Sequence, residues 1–249
     1  MIQLDVFFTL NELDLPLKKD SAVVIAIDIL RAGTTVCKAL GSGAKEIIPV
    51  CSSEEALNLY NKFDKSDILL CGERNGKKID GYHLGNSPFE YEPNIVSGKT
   101  LILNTTNGSS LFKKLISYPH FYVGAFVNFS FLFEEVVNIF EQKQISLIIL
   151  ACAGQNNRFT FEDVLYCGCF IENLQKKLLG EKFKLNDGAR ASKELFSIFK
   201  NDLLNFVKTT DHSAELIRLN FEKDIDFSFT FDLIPVIPVS NGSNLIIKK

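Results

Sequence analysis

The feature that most constrains the fold is a repeated alternation between short aliphatic segments and segments with helical periodicity. The clearest aliphatic segments are Ala22–Asp28 and Ile145–Ala151, which consist almost entirely of β-branched and other aliphatic residues. Such runs are typical of strands buried on both faces, as in parallel sheets covered by helices. The sequence therefore predicts an α/β fold, with three α/β/α layers around a mixed, largely parallel sheet.

Local signals place the individual elements. Ser53 is predicted to cap a helix, and Thr160 another, with Asp163 completing a capping box. The predicted strands are Ala22–Asp28, Glu46–Val50, Asp67–Cys71, Thr100–Asn104, Phe121–Gly124, Ile145–Ala151 and Pro235–Val239. The predicted helices are Thr34–Leu40, Ser53–Phe63, Ser109–Ser117, Ser130–Lys143, Thr160–Leu179 and most of Asp187–Phe231. We expect a single domain over residues 1–249, with a candidate internal boundary near residues 180–188.

Composition excludes several classes of function. The net charge of −3 opposes non-specific binding to nucleic acid, which requires a basic field. The longest apolar runs are far shorter than a membrane span, and the first residues do not resemble a signal peptide. We therefore expect a cytoplasmic protein that binds neither nucleic acid nor membranes, with a homodimer as a candidate assembly.

The six cysteines are scattered through apolar segments, which predicts buried free thiols. Cys152 and Arg158 nevertheless have the C-x5-R spacing of cysteine phosphatases, in which a thiolate attacks phosphorus. The chain has neither a P-loop nor a G-x-G-x-x-G fingerprint, which weakens kinase and dehydrogenase interpretations.

Polar residues collect just after four of the predicted strands, where ligands bind in open α/β sheets. Carboxylates, arginines and turn-forming residues recur there, a combination that suits an oxyanion substrate and a divalent cation. We expect one cleft to contain Asp28, Arg31, Glu73, Arg74, Asn107 and Asp163. The long segment 72–98 is predicted to be ordered and functional. His83 and His212 are the candidate acid–base histidines.

Taken together, five ordered motifs resemble the 2-phosphosulfolactate phosphatase (ComB) family over about residues 1–180. They are Ile27–Thr35, Gly72–Gly76, Gly85–Tyr91, Thr105–Gly108, and Ala153–Gly154 with Glu162–Asp163. The tail is similar more loosely, through His212, Asp224, Asp232 and Ile237–Pro238. The resemblance implies the ComB-like α/β/α fold and a Mg²⁺-dependent phosphatase. The implied reaction hydrolyses 2-phospho-3-sulfolactate, or a related phosphorylated 2-hydroxy acid, towards coenzyme M.

Within this interpretation, Arg31 and Arg74 are the candidate oxyanion clamps, and His212 joins the catalytic group. Asp28 is the favoured nucleophile or general base, because it ends a rigid buried strand. The candidate Mg²⁺ ligands are Asp28, Glu73, Glu162 and Asp163. The candidate substrate-binding residues are Thr34, Thr35, Asn86, Ser87, Thr105, Thr106, Asn107, Gly108 and Gly154.

Two alternatives remain open from the sequence. One is a metal-independent cysteine phosphatase that uses Cys152 and Arg158. The other is a non-catalytic protein that binds a small anion in the same pocket.

Overall fold

Eleven strands form the central sheet in the computed structural model, which describes residues 1–13, 22–143 and 145–247. The strands are β1 (Ile2–Phe7), β2 (Ala22–Ile27), β3 (Glu46–Pro49), β4 (Ile68–Arg74), β5 (Lys77–Lys78), β6 (Thr100–Asn104), β7 (Phe121–Gly124), β8 (Leu147–Cys152), β9 (Phe183–Leu185), β10 (Pro238–Ser240) and β11 (Leu245–Ile247). Their order across the sheet is β5-β4-β6-β3-β11-β10-β7-β2-β8-β1-β9.

Two groups of parallel strands make up most of this sheet. One group is β4-β6-β3, and the other is β7-β2-β8-β1-β9. The antiparallel hairpin of β10 and β11 lies between the two groups, and β5 adds an antiparallel edge beside β4. The predicted mixed, largely parallel sheet is therefore confirmed.

Ten α-helices are found in the described part of the chain. They are α1 (Ala32–Gly41), α2 (Ser53–Tyr60), α3 (Pro93–Val96), α4 (Gly108–Leu115), α5 (Phe129–Lys143), α6 (Phe161–Lys177), α7 (Asp187–Phe199), α8 (Leu203–Lys208), α9 (Asp211–Arg218) and α10 (Glu222–Ser228). Over the same residues, no helix has both the length and the apolarity needed to cross a membrane.

The two faces of β2 explain the three layers. Val23, Ile25 and Ile27 face a hydrophobic cluster that contains buried residues of α5, α6 and α7. Val24 and Ala26 face a second cluster that contains buried residues of α1 and α4. Because both faces of β2 are covered, every residue of this strand is apolar and buried.

The strands that the sequence did not predict are short or lie near the ends of the chain. In β1 buried and half-buried residues alternate, and this strand pairs with β8 on one side and β9 on the other. Strand β9 lies inside the segment that was the candidate boundary. The strand predicted at Pro235–Val239 corresponds to β10, which begins at Pro238 and forms a hairpin with β11.

The segment from residue 72 to residue 98 is built from regular pieces. It contains the end of β4, strand β5, a single 3₁₀ turn at Pro88–Glu90 and helix α3. The Gly85 amide donates to Glu90 Oε2 at 2.8 Å, and the Tyr91 hydroxyl donates to the Gly85 carbonyl at 2.7 Å. These bonds hold the middle of the segment in one conformation.

Close packing of α6 on α7 requires a glycine at position 168. A Cβ atom there would lie 2.1 Å from the Ser192 carbonyl oxygen and 2.5 Å from Phe196 Cβ. We expect Gly168→Ala to lower the free energy of unfolding by about 1–3 kcal/mol, because the two helices must separate. Denaturant titration measures this. Lys176→Ala, on an exposed position of the same helix, is the control and should stay within about 0.5 kcal/mol. Equal stability of the two variants would contradict the packing argument.

Candidate active site

A small cleft lies where β2, β4, β6 and β8 end. Its volume is about 70 Å³. The residues that line it are Asp28, Leu30, Arg31, Glu73, Asn75, Gly76, Asn86, Thr105, Thr106, Asn107, Gln155, Asn156, His212, Glu215 and Leu216. Four strand ends and helix α9 therefore contribute to one site, as expected for ligand binding in an α/β sheet.

Asp28 presents one carboxylate oxygen to this cleft. Its Oδ1 accepts a hydrogen bond from the Ala32 amide at 3.0 Å, whereas Oδ2 accepts none from any residue that the structure describes. Burial raises the pKa of Asp28 to about 7, against the opposing effect of the Ala32 amide. The neighbouring Glu73 and Glu162 add to this rise, and His212 opposes it. Asp28 is therefore a buried acid that a cation would stabilise in its charged form.

Gly108 allows helix α4 to begin directly beside Asp28. A Cβ atom at this position would lie 2.4 Å from Asp28 Oδ2 and 2.6 Å from Ala32 Cβ. No side chain fits there. Gly108 was predicted to bind substrate, and in the structure it lets the backbone of α4 approach Asp28 closely. The N-terminal turn of α4 and the carboxylate thus border the same space.

Arg31 is held in the wall of the cleft by three partners. Its guanidinium donates to Asp224 Oδ2 at 2.8 Å and to the Gly76 carbonyl at 2.7 Å. It also lies over the ring of Phe221, 4.1 Å from the ring centroid. Asp224 in turn accepts the Ser87 hydroxyl at 2.8 Å. Helix α10 and the 72–98 segment therefore fix the position of the arginine.

Glu73 and Arg74 stabilise the loops around the cleft. Glu73 lines the cleft, and its two oxygens accept the amides of Thr106 at 2.7 Å and Gly76 at 2.9 Å. Arg74 was predicted to clamp the oxyanion. Its guanidinium instead donates to the carbonyl oxygen of Glu73 and to both oxygens of Asn104, and it does not line the cleft.

His212 and Glu162 form a pair at the edge of the cleft. His212 Nδ1 lies 2.5 Å from Glu162 Oε1, which leaves Nε2 as the ring nitrogen available to a ligand. Burial lowers the pKa of His212, but the charge and hydrogen bond of Glu162 outweigh it, helped by Asp28 and Asp163. The net pKa is raised, so this histidine is suited to hold and donate a proton.

Asp163 does not complete a capping box. Its Oδ1 accepts the Ile29 amide at 2.9 Å, and its Oδ2 accepts the Gly154 amide at 3.2 Å. Burial raises the pKa of Asp163 well above its ordinary value, and the nearby Glu162 and Asp28 raise it further. Asp163 therefore joins the loops after β2 and β8 from behind the cleft.

The predicted four-carboxylate metal set is thus split by the structure. Neither Glu162, which contacts His212, nor Asp163, which contacts backbone amides, lines the cleft. In the described residues, no group of three or more His, Cys, Asp or Glu side chains is placed to hold a metal ion. Asp28 and Glu73 both line the cleft, and Mg²⁺ typically takes only one or two carboxylates with waters and substrate oxygens. These two residues fit such an ion.

The predicted substrate-binding residues separate in the same way. Asn86, Thr105, Thr106 and Asn107 line the cleft. The hydroxyls of Thr34, Thr35 and Ser87 instead donate to Ile29 O, Asn86 O and Asp224 Oδ1, respectively. Gly154 has a φ of +60°, and a Cβ atom there would lie 2.4 Å from the Arg158 carbonyl oxygen. Thr34, Thr35, Ser87 and Gly154 therefore support the loops behind the cleft and do not line it.

Sequence reasoning missed part of the lining, including Asn75, Gln155, Asn156 and Glu215. Asn75 and Asn156 both have a φ of +52°, and asparagine tolerates this left-handed region better than most residues do. The pairs Asn75-Gly76 and Asn156-Asn157 could therefore have indicated tight turns at the cleft from the sequence. Gln155 donates to Glu215 Oε2 at 3.0 Å, a contact that only the tertiary structure forms.

The thiolate alternative does not fit this geometry. Cys152 is fully buried, lies outside the cleft, and its Sγ contacts the Cys167 Sγ at 3.5 Å. Burial raises the pKa of the Cys152 thiol well above its ordinary value, as does contact with Cys167. Five cysteines are buried as predicted, whereas Cys51 is exposed. His83 also lies apart from the cleft, where its Nδ1 accepts the Leu70 amide.

The His212–Glu162 pair can be tested by titration. We expect the His212 ring protons to titrate above the ordinary histidine pKa of about 6.5. Glu162→Gln should lower the midpoint, because it removes the negative charge that opposes burial. NMR measures all three histidines of the chain at once, and His83 and His120 are internal controls. A midpoint for His212 that is unchanged in Glu162→Gln would show that the pair does not set its protonation.

Comparison with known proteins agrees with the sequence resemblance. A family model described as "2-phosphosulpholactate phosphatase" matches residues 9–243. A protein of Thermotoga petrophila named "Probable 2-phosphosulfolactate phosphatase" is 39% identical over 234 residues, covering 94% of this chain and 95% of the relative. Proteins of the same name from Caldanaerobacter subterraneus subsp. tengcongensis and Clostridium botulinum (strain Alaska E43 / Type E3) are 36% and 30% identical. They cover 96% and 98% of this chain, and 94% and 99% of their own lengths are matched. The chain belongs to the 2-phosphosulfolactate phosphatase family, a family of phosphoric monoester hydrolases.

Proposed function

We propose that this chain hydrolyses 2-phospho-3-sulfolactate to 3-sulfolactate and phosphate, with Mg²⁺ as cofactor, as a step towards coenzyme M. A related phosphorylated 2-hydroxy acid is a substrate of the same class. The observation that carries the proposal is the cleft in which Asp28, Arg31 and His212 line the same small volume. The names of the relatives support the choice of substrate. The cytoplasmic location and a homodimeric assembly stay predictions.

The charges of the cleft favour a divalent cation. The substrate has phosphate, sulfonate and carboxylate groups, whereas the cleft contains three carboxylates, on Asp28, Glu73 and Glu215. Arg31 and protonated His212 offset only part of that negative charge. Asp28 and Glu73 would hold Mg²⁺, which would neutralise charge on the phosphoryl oxygens when bound.

Binding and orientation of the phosphoryl group fall to the remaining residues of the wall. Arg31 is rigidly held and carries a permanent positive charge for phosphate oxygens. Thr106 Oγ1 and Asn86 Oδ1 are buried and have no hydrogen-bond partner among the described residues. Both side chains line the cleft, where the Thr106 hydroxyl would donate to a phosphoryl oxygen and Asn86 Oδ1 would accept from a water or a protonated phosphoryl oxygen.

The departing ester oxygen needs a proton, and His212 is placed to supply it. Water adds to phosphorus as the bond to the ester oxygen breaks, and one of its protons passes to a phosphoryl oxygen. The ester oxygen receives its proton from His212 Nε2, which then regains a proton from solvent. Glu162 holds the protonated ring through Nδ1. The products are inorganic phosphate and the free 2-hydroxy acid, and catalysis rests mainly on positioning and charge stabilisation.

Release of inorganic phosphate tests the proposal directly. We expect the chain to release phosphate from 2-phospho-3-sulfolactate in the presence of Mg²⁺. Activity should be lost after treatment with a chelator and should return when Mg²⁺ is added. Hydrolysis that is insensitive to the chelator would contradict the cofactor, and no hydrolysis with Mg²⁺ would contradict the activity.

Two substitutions distinguish the metal-dependent mechanism from the thiolate mechanism. We expect Asp28→Asn to lower the rate of phosphate release by about 10²–10⁴-fold, because it removes the charge that faces the cleft. Cys152→Ser should retain most of the activity, because the thiol lies outside the cleft. Initial rates are compared at saturating Mg²⁺, with thermal melts as the control for folding. An inactive Cys152→Ser beside a nearly normal Asp28→Asn would reverse the assignment.

A further inference from the structure

A second, larger cavity adjoins the cleft and shares two wall residues with it. Its volume is about 530 Å³, and Gln155 and His212 line both spaces. Cavities of several hundred Å³ are typical sites for organic ligands, whereas the cleft of about 70 Å³ is much smaller. We call this second space the aromatic cavity. Four phenylalanines, Arg158 and Thr160 also line it.

Four phenylalanine rings form the apolar wall of the aromatic cavity. Phe159 packs edge-to-face on Phe161, with the ring centroids 4.8 Å apart, and Phe161 packs the same way on Phe206 at 5.1 Å. Phe199 stacks on Phe206. Rings that already hold one another need little reordering to accept another ring against them.

The polar part of the aromatic cavity suits a carboxylate. Within the described ranges, the Arg158 guanidinium has no hydrogen bond or ion pair, although it lines the cavity. The buried Thr160 Oγ1 is also without a partner among those residues. Thr160 and Thr210 precede α6 and α9, so two helix N-termini open onto this space. Glu162 is paired with His212, and Arg158 and Asp211 are both exposed to solvent at the mouth of this space.

The position of His212, the proton donor, indicates where the alcohol part of the substrate lies. If His212 protonates the ester oxygen, the carbon attached to that oxygen must lie next to His212. The aromatic cavity begins at this residue, whereas Arg31 and Glu73 line only the cleft.

We propose that the aromatic cavity receives the alcohol part of the substrate. We further propose that the enzyme therefore also hydrolyses phosphate esters of 2-hydroxy acids with an aromatic ring on C3. This inference rests on the proposed phosphatase function. Arg158 pairs with the carboxylate of the hydroxy acid, and the ring packs against Phe159 and Phe161. Water and the ester give inorganic phosphate and the free hydroxy acid, as for the smaller substrate.

The test compares 2-phospho-3-phenyllactate with 2-phospholactate, which lacks the ring. We expect kcat/KM for the phenyl ester to be higher by about tenfold or more, because the ring leaves water for an apolar wall. Phe159→Leu should remove most of this preference, because it takes away a ring that faces the phenyl group. Arg158→Leu should raise KM for both esters. Phe131→Leu and Arg190→Leu, at exposed positions outside both spaces, are the matched controls.

Calorimetric titration with 3-phenyllactate, the product, tests the cavity without catalysis. We expect wild-type protein to bind it, and Phe159→Leu and Arg158→Leu to bind several-fold more weakly than their controls. Absence of binding to wild-type protein would overturn the inference even if 2-phospho-3-sulfolactate is hydrolysed. Binding without hydrolysis of any ester would support the cavity and contradict the proposed function. Equal kcat/KM for the phenyl ester and 2-phospholactate would also overturn the inference.

Discussion

The buried ion pair between Arg31 and Asp224 is the contact on which the rest of the site depends. The two side chains are 2% and 3% exposed, and they join the loop after β2 to helix α10. Removing one partner of such a pair typically costs about 3–5 kcal/mol, because the other charge is left buried and alone. Burial raises the pKa of Asp224, although Arg31 and Ser87 oppose it, so the charged form depends on these two partners. The pair thus fixes the C-terminal helices against the cleft.

That attachment brings His212 to the cleft, because α9 directly precedes α10 in the chain. The carboxylates of Asp28 and Asp163 have different roles in the site. Asp28 keeps one oxygen open to the cleft, whereas Asp163 uses both oxygens to bind backbone amides. The difference is geometric: Asp28 directly follows β2, whereas Asp163 lies in the first turn of α6. A small cleft with one open carboxylate, one fixed arginine and one paired histidine is the result.

A tight turn and His212 separate the cleft from the aromatic cavity. Gln155 and Arg158 bond to each other through both backbone groups, and Asn156 and Asn157 between them have positive φ. The turn therefore directs Asn156 into the cleft and Arg158 into the aromatic cavity. Gly154 packs closely against this turn and against the end of β1, so a side chain there would meet the Arg158 and Phe8 carbonyl oxygens.

The sequence by itself determined the layered α/β architecture, because buried strands and amphipathic helices leave local periodic patterns. It also located the polar strand ends, and thereby Asp28, Arg31, Glu73 and Asn107 in the cleft. It could not decide which way each side chain turns. Asp163 was expected in the cleft but binds backbone amides, and Arg74 was expected to bind the oxyanion but contacts Asn104. Glu162 contacts His212, which is 50 residues away in the sequence. Those pairings arise only when distant segments pack, since no local spacing encodes the partner of a buried charge.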